Sequence, residues 1–292
     1  LSAPGVESTG IHYLHDIADA DHLRDALAAG KRLVIVGGGY IGLEVAASAT
    51  KRGVKVTVLE AAERLMQRVT GPQVSAFLHD KHTRAGVDVS LGSAVKGFNI
   101  GPQGHAEGVL LANGVCVPAD VVLVSLGVVA ETDLAEAAGI PCDDGILVDQ
   151  YVRTNDPSIL AIGDCTRHRN LFFDNTQRLE CVSNAVDQAR TAAAMLTGED
   201  KPYDSVPWFW SNQFGVRLQM VGLSAGHDQS VVRGSPDSET FAVFYLRNSH
   251  VVAVDAVNMP LAFMVGKKLV ARRATVDAQL LADIEFDIKS LA

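Results

Sequence analysis

The chain has 292 residues, 48% of them apolar and 20% charged, with a formal net charge of −9 at pH 7. That balance fits a folded globular protein with room for two or three domains and excludes the disordered and fibrous classes. The negative charge argues against nucleic acid as the main partner. No basic segment followed by an apolar run precedes the first predicted element, so no signal peptide is expected and the expected compartment is the cytoplasm. The cysteines Cys116, Cys142, Cys165 and Cys181 form no CxxC pair and sit at no zinc spacing, so reduced thiols are expected.

In chain order, a short helical lead-in, "DADHLRDALAAG", precedes the strand "RLVIV", which enters "GGGYIG". A helix from about Ile41 to Arg52 and a strand "VKVTVLE" ending at Glu60 follow. "GPQVSAFLHDKHTRAG" reads as a helix, with Pro72 in its first turn and Gly86 just past its end. The Asn113-Gly114 pair signals a hairpin, and "ADVVLVSLG" is a further strand. Strands alternating with helices predict a parallel sheet covered by helices. "SILAIGDC" reads as an apolar strand running into a Gly-Asp turn. A helix near Leu179 to Leu196 carries Val182, Ala185, Val186, Ala189 and Ala193 on one face, which is expected to pack on a sheet. "WFWSNQ", "RLQMVGL", "SVVRG", "TFAVFYL" and "HVVAVDAV" then predict an antiparallel sheet, with one or two helices at the end. Three regions are expected: 1–127, 128–200 and 201–292.

The strongest chemical signal is the glycine-rich turn. Gly37, Gly39 and Gly42 follow a strand and open a helix. Gly37 allows a tight turn, Gly39 lets the backbone approach a pyrophosphate, and Gly42 lets helix and strand pack closely. The phosphates would meet the positive end of the helix. Glu60 ends the next strand, where a carboxylate accepts hydrogen bonds from an adenosine ribose. Its charge would repel a 2′-phosphate, so NADH is the expected nucleotide. Arg64 lies nearby and reads as a solvated helix residue.

"VGGGYIGLEVAA", "LMQRVTGPQVSAF", "TNDPSILAIGDC" and "PWFWSNQ…LQMVGLS" together resemble the FAD-dependent ferredoxin reductases of bacterial oxygenase systems, and the resemblance runs through essentially the whole chain. It implies an α/β fold: a Rossmann-like NAD(H) domain, the C-terminal part of a split FAD domain, and a C-terminal α+β domain with an antiparallel sheet. The family's N-terminal FAD segment, with its own glycine-rich loop, is not found in these residues. The implied activity passes electrons from NADH through FAD to a [2Fe-2S] ferredoxin.

By the same resemblance, Glu44 is the candidate catalytic residue, close to nicotinamide and flavin. The NAD(H) set is Gly37, Gly38, Gly39, Tyr40, Ile41, Gly42, Glu60 and Gly127. The FAD set is Gly163, Asp164, which would hydrogen-bond the ribitol, Val182, and the aromatics Trp208, Phe209 and Trp210. Ser183 stands where the family commonly has proline. No metal site is expected. Lys267, Lys268, Arg272 and Arg273 in "GKKLVARRAT" form a basic cluster that would steer an acidic ferredoxin. Two other readings stay open: a non-catalytic NAD(H)-binding module of the apoptosis-inducing-factor type, and a related disulfide reductase.

Overall fold

A computed structural model describes residues 3–170, 172 and 175–292. The chain divides into two units: Leu1–Gly127 with Ser211–Arg217, and Val128–Trp210 with Leu218–Ala292.

In the first unit, β1 (Ile11–His12) and α1 (Ile17–Ala26) lead to β2 (Arg32–Val36), α2 (Tyr40–Lys51), β3 (Lys55–Leu59), α3 (Pro72–Arg84) and β4 (Asp88–Ser90). Next come β5 (Val95–Ile100), β6 (Ala106–Leu111), β7 (Cys116–Pro118) and β8 (Val121–Val124). A five-stranded sheet runs in the order β1-β8-β2-β3-β4, and every neighbouring pair in it is parallel. Parallel strands covered on both faces are apolar along their whole length, and β2 shows why. Leu33, Val34, Ile35 and Val36 are all buried, each stabilising by roughly 1.5–3 kcal/mol. The β5-β6-β7 sheet packs on this one through Phe98, Val109 and Leu111 against Val34, Leu59 and Val122. Its β6–β7 turn holds the Asn113-Gly114 pair, with Gly114 at φ 88. α1 starts with a capping box between Asp16 and Asp19, and α3 starts on Pro72.

The second unit contains α4 (Asp133–Ala137), β9 (Ile146–Val148), β10 (Thr166–Asn170), β11 (Asn175–Arg178) and α5 (Val182–Leu196). It continues with β12 (Trp208–Gln213) and β13 (Val216–Gly222), whose shared tip, Ser211–Arg217, counts with the first unit, then β14 (Gln229–Ser235), β15 (Thr240–Arg247) and β16 (His250–Val257), followed by α6 (Pro260–Ala271) and α7 (Ala278–Ala282). The five-stranded sheet has the order β12-β13-β16-β15-β14 and is antiparallel from β13 to β14. Val254, Val265, Leu269 and Phe244 belong to the core that joins it to α6.

Three expectations are corrected. "SILAIG" is not a regular strand; only Leu160 pairs, in an isolated bridge with Arg153. The Thr154 hydroxyl donates to the Asp156 and Ile159 carbonyls, and the Ser158 N–H donates to the Asp156 side chain. These local bonds compete with a ladder. The buried face of α5 is also not its apolar stripe: Val182 is 60% exposed, while Ser183, Asn184, Gln188 and Thr191 are buried. Ser183, Asn184 and Gln188 bond groups outside the helix, as described below. Finally, Arg64 lies in no helix. Its guanidinium donates to the Thr70 and Gln67 carbonyls and to the Ser75 hydroxyl, so it organises the loop before α3. Among the described residues, no helix is long and apolar enough to cross a membrane.

Candidate functional site

The glycines after β2 have separable causes. Gly37 has φ 113, and a Cβ there would lie 2.1 Å from the Ser125 carbonyl oxygen. A Cβ on Gly42 would lie 2.2 Å from the Gly37 carbonyl oxygen. Both positions therefore build the turn. A Cβ on Gly38 would meet Leu65 at 2.6 Å and Glu60 at 3.0 Å. Gly39 is different: nothing lies within 4 Å of its would-be Cβ. It also caps α2 without a side-chain hydrogen bond. Open space at the positive end of a helix fits a diphosphate. Tyr40 is half-buried, and Ile41 is exposed at the same helix start.

Glu60 follows β3 and faces this turn. Its Oε2 accepts from the Gly38 N–H at 2.7 Å, and its Oε1 accepts from the Ala62 N–H at 2.8 Å. Each oxygen keeps a lone pair for a ribose hydroxyl. The carboxylate thus holds the loop as well as offering itself to a ligand. Gly127, at φ 105, follows β8, and a Cβ there would lie 3.6 Å from the Arg68 guanidinium.

One turn into α2, Glu44 is held by the hairpin tip that belongs to the same unit. The Ser211 hydroxyl donates to Glu44 Oε1 at 2.6 Å, and the Asn212 N–H donates to it at 3.4 Å. Gln213 Nε2 donates to Ser211 Oγ at 2.9 Å. His82 Nε2 lies 2.9 Å from Gln213 Oε1, and the ring packs edge-on against Phe214 at 4.9 Å. Ser211, Gln213 and His82 are absent from the sequence reading. Their only sequence signal is Ser and Gln alternating on the Phe209 face of a strand, where buried polar residues demand partners.

In the second unit, Gly163 is buried at φ 83, and Asp164 is exposed beside it. The Gly163 N–H donates to Gln188 Oε1 at 2.6 Å, and the Thr166 hydroxyl donates to the Gly163 carbonyl at 2.8 Å. Gln188 Nε2 lies 3.3 Å from His168 Nδ1, and the Tyr203 hydroxyl donates to Asn184 Oδ1 at 2.9 Å. Desolvation pushes His168 down to about 4 and raises Tyr203. Val182 opens α5, which has no side-chain cap. Ser183 donates to the Trp208 carbonyl at 2.6 Å and so joins the helix start to β12.

Trp208 and Trp210 share a face of β12, with ring centroids 5.5 Å apart. Phe209 alternates with them, its ring 5.9 Å from that of Trp210. The four basic residues have different surroundings. Lys267 Nζ lies 4.8 Å over the Trp208 ring. Arg272 donates to the Leu291 carbonyl. Lys268 and Arg273 are exposed. Among the described residues, no group of three or more His, Cys, Asp or Glu could hold a metal.

Comparison with known proteins agrees with this geometry. Residues 1–189 match the family model for pyridine nucleotide-disulphide oxidoreductases, and residues 208–292 match the reductase C-terminal model. The chain is 46% identical, over its full length and 71% of the relative's, to the ferredoxin reductase subunit of the 5,5′-dehydrodivanillate O-demethylase of a Sphingobium species. It is 43% identical to putidaredoxin reductase of Pseudomonas putida, over 98% of this chain and 68% of that protein. The solved ferredoxin reductase of Rhodopseudomonas palustris superposes with a TM-score of 0.97 at 39% identity, over 100% of this chain and 72% of that one. The reductase in the covalent putidaredoxin reductase–putidaredoxin complex gives 0.95 at 42%, over 98% and 69%. With both family models matched and relatives above 40% identity along the whole chain, this protein belongs to the pyridine nucleotide-disulphide oxidoreductase family, on its ferredoxin reductase branch.

Proposed function

We propose that this chain works as an NADH-dependent, FAD-containing reductase that delivers electrons to a [2Fe-2S] ferredoxin of an oxygenase system. The observation that carries this reading is the dinucleotide cradle: an unobstructed Gly39, an uncapped α2 and Glu60 fixed across from them. When bound, FAD supplies the change from a two-electron donor to a one-electron acceptor.

The chain's own residues bind and orient. Gly37 to Gly42 and the α2 N–H groups hold the NADH diphosphate. Glu60 accepts from the ribose and disfavours a 2′-phosphate, and Gly127 borders the same pocket of loops. Glu44 orients the nicotinamide end. On the FAD side, Asp164 accepts from the ribitol, Val182 and the α5 N-terminus face the ring system, and Trp208, Phe209 and Trp210 wall it from water. Residues 1–127 then serve NAD(H), 128–200 serve FAD, and 201–292 face the acceptor. Of the basic residues, Lys268 and Arg273 are exposed and would steer a ferredoxin, with Lys267 held on Trp208. The setting proposed is the cytoplasm, where the thiols Cys116, Cys142, Cys165 and Cys181, all free in the structure, stay reduced.

The test is steady-state reduction of a [2Fe-2S] ferredoxin by the holoenzyme with both nucleotides. The expected result is a kcat/KM for NADH at least about tenfold above that for NADPH, the size of one lost or repelled charged contact. Equal or reversed values would remove the role of Glu60. Dye reduction without ferredoxin reduction would remove the acceptor.

A further inference from the structure

The first unit buries a titratable group that the function above does not use. His82 is fully buried on α3, and its Nδ1 has no partner. Its Nε2 bonds a residue 131 positions away in sequence. The direction of every bond in that chain can be deduced. A carboxylate only accepts, so the Ser211 hydroxyl must give its proton to Glu44 Oε1. Ser211 Oγ is then left to accept, and it does so from the Gln213 amide nitrogen. That orientation turns Gln213 Oε1 toward His82, so the ring must donate from Nε2. The opposite tautomer would set two lone pairs against each other at 2.9 Å and bury an unpaired N–H. Desolvation lowers the His82 pKa, the bond to Gln213 opposes this, and His79 adds to the lowering, so the ring is neutral. Phe214, edge-on at 78°, fixes the ring plane.

We infer that His82, Gln213 and Ser211 form a one-way hydrogen-bond relay that holds the Glu44 carboxylate at the nicotinamide end of the dinucleotide site. They are positioning residues, and the inference rests on the reading of Glu44 given above. The relay works because no member can turn around. His82 fixes the amide of Gln213, the amide fixes the Ser211 hydroxyl, and the hydroxyl fixes one carboxylate oxygen. Aligned bonds of this kind also polarise one another. Without His82 the Gln213 amide is free to rotate. Its oxygen can then draw the Ser211 proton away from Glu44, which lies two bonds further along.

The experiment combines a spectrum with variants of the holoenzyme. Nitrogen-15 NMR of the unsubstituted protein should show His82 neutral with its proton on Nε2; a proton on Nδ1 would overturn the relay at once. Ser211→Ala and His82→Leu should each weaken NAD+ binding, read by calorimetry, and raise the KM for NADH about tenfold, the scale of a hydrogen bond to a charged group. The kcat with ferricyanide should change far less. Ser211→Thr and His82→Gln keep the hydroxyl and the donor, and should restore both values. A purely structural tie would lower the melting temperature and leave NAD+ binding unmoved, which would overturn the proposal. If Glu44→Gln weakens binding while Ser211→Ala and His82→Leu do not, the relay is wrong and the role of Glu44 stands. If Glu44→Gln also has no effect, the reading of Glu44 fails and the relay's purpose fails with it.

Discussion

Each unit of this protein buries a neutral histidine against a glutamine, and the two pairs do opposite things. In the first unit the bonds run outward, from His82 through Gln213 and Ser211 to the half-buried Glu44. In the second they run inward. Gln188 accepts from the Gly163 N–H and the Thr166 hydroxyl, and Asn184 donates to the Leu179 carbonyl. One network therefore orients a side chain, and the other clamps a backbone turn.

The histidines differ to match. The Gly163 N–H is an obligate donor, so it fixes Gln188 with its oxygen outward and its amide nitrogen toward His168 Nδ1. That leaves the proton of His168 on Nε2, a buried N–H without a partner among the described residues. In His82 the unpartnered atom is a bare lone pair, the cheaper of the two to bury. A second proton on His168 must also displace the bond from Gln188. On His82 it would enter an empty position. Burial lowers both, His168 to about 4.

The contrast can be broken at three levels. Gln188→Leu strands the Gly163 N–H and His168 Nδ1 at once, and should cost about 3 kcal/mol. Both tryptophans lie in the second unit, so urea unfolding followed by tryptophan fluorescence reads the loss there. Gln213→Leu should shift the same signal far less. Equal shifts would mean that the two networks share one purpose.

Acid should have an effect of similar size. An unfolded histidine takes up its proton near 6.5 and His168 in the fold near 4, so the unfolded state binds more protons between those values. Stability is therefore present above about pH 6.5 and lost as pH falls toward 4, by about 3 kcal/mol. His168→Leu should flatten that slope. An unchanged slope would assign the effect to other groups. The smallest effect should be that of Thr166→Val, about 1 kcal/mol for one hydroxyl bonded to a carbonyl and an amide, in the same urea assay.

How much of this was readable in the residues follows from distance along the chain. The parallel sheet and the β12–β16 sheet rest on local patterns, and they stand as read. The buried face of α5 was misread because periodicity assigns the apolar stripe to the inside. Here Asn184 and Gln188 are inside because Tyr203, His168 and Gly163 supply their partners, and none of these is near them in a helical pattern. Arg64 was misread for a similar reason: its partners are carbonyls of a loop with no sequence signature. The His82–Gln213 bond spans 131 residues, and nothing short-range announces it.

The glycine turn also contains its own control for separating assembly from occupancy. At Gly37 and Gly42 a methyl group would strike backbone oxygens, so an alanine there tests whether the protein can be made at all. At Gly39 the backbone has φ −85 and ψ −171, ordinary values for any residue, and the space beyond it is empty. Folding alone places no demand for glycine at that position. An alanine at 39 would be invisible to a screen for expression and felt only by the incoming diphosphate, so that single methyl group separates a well-made protein from a working one.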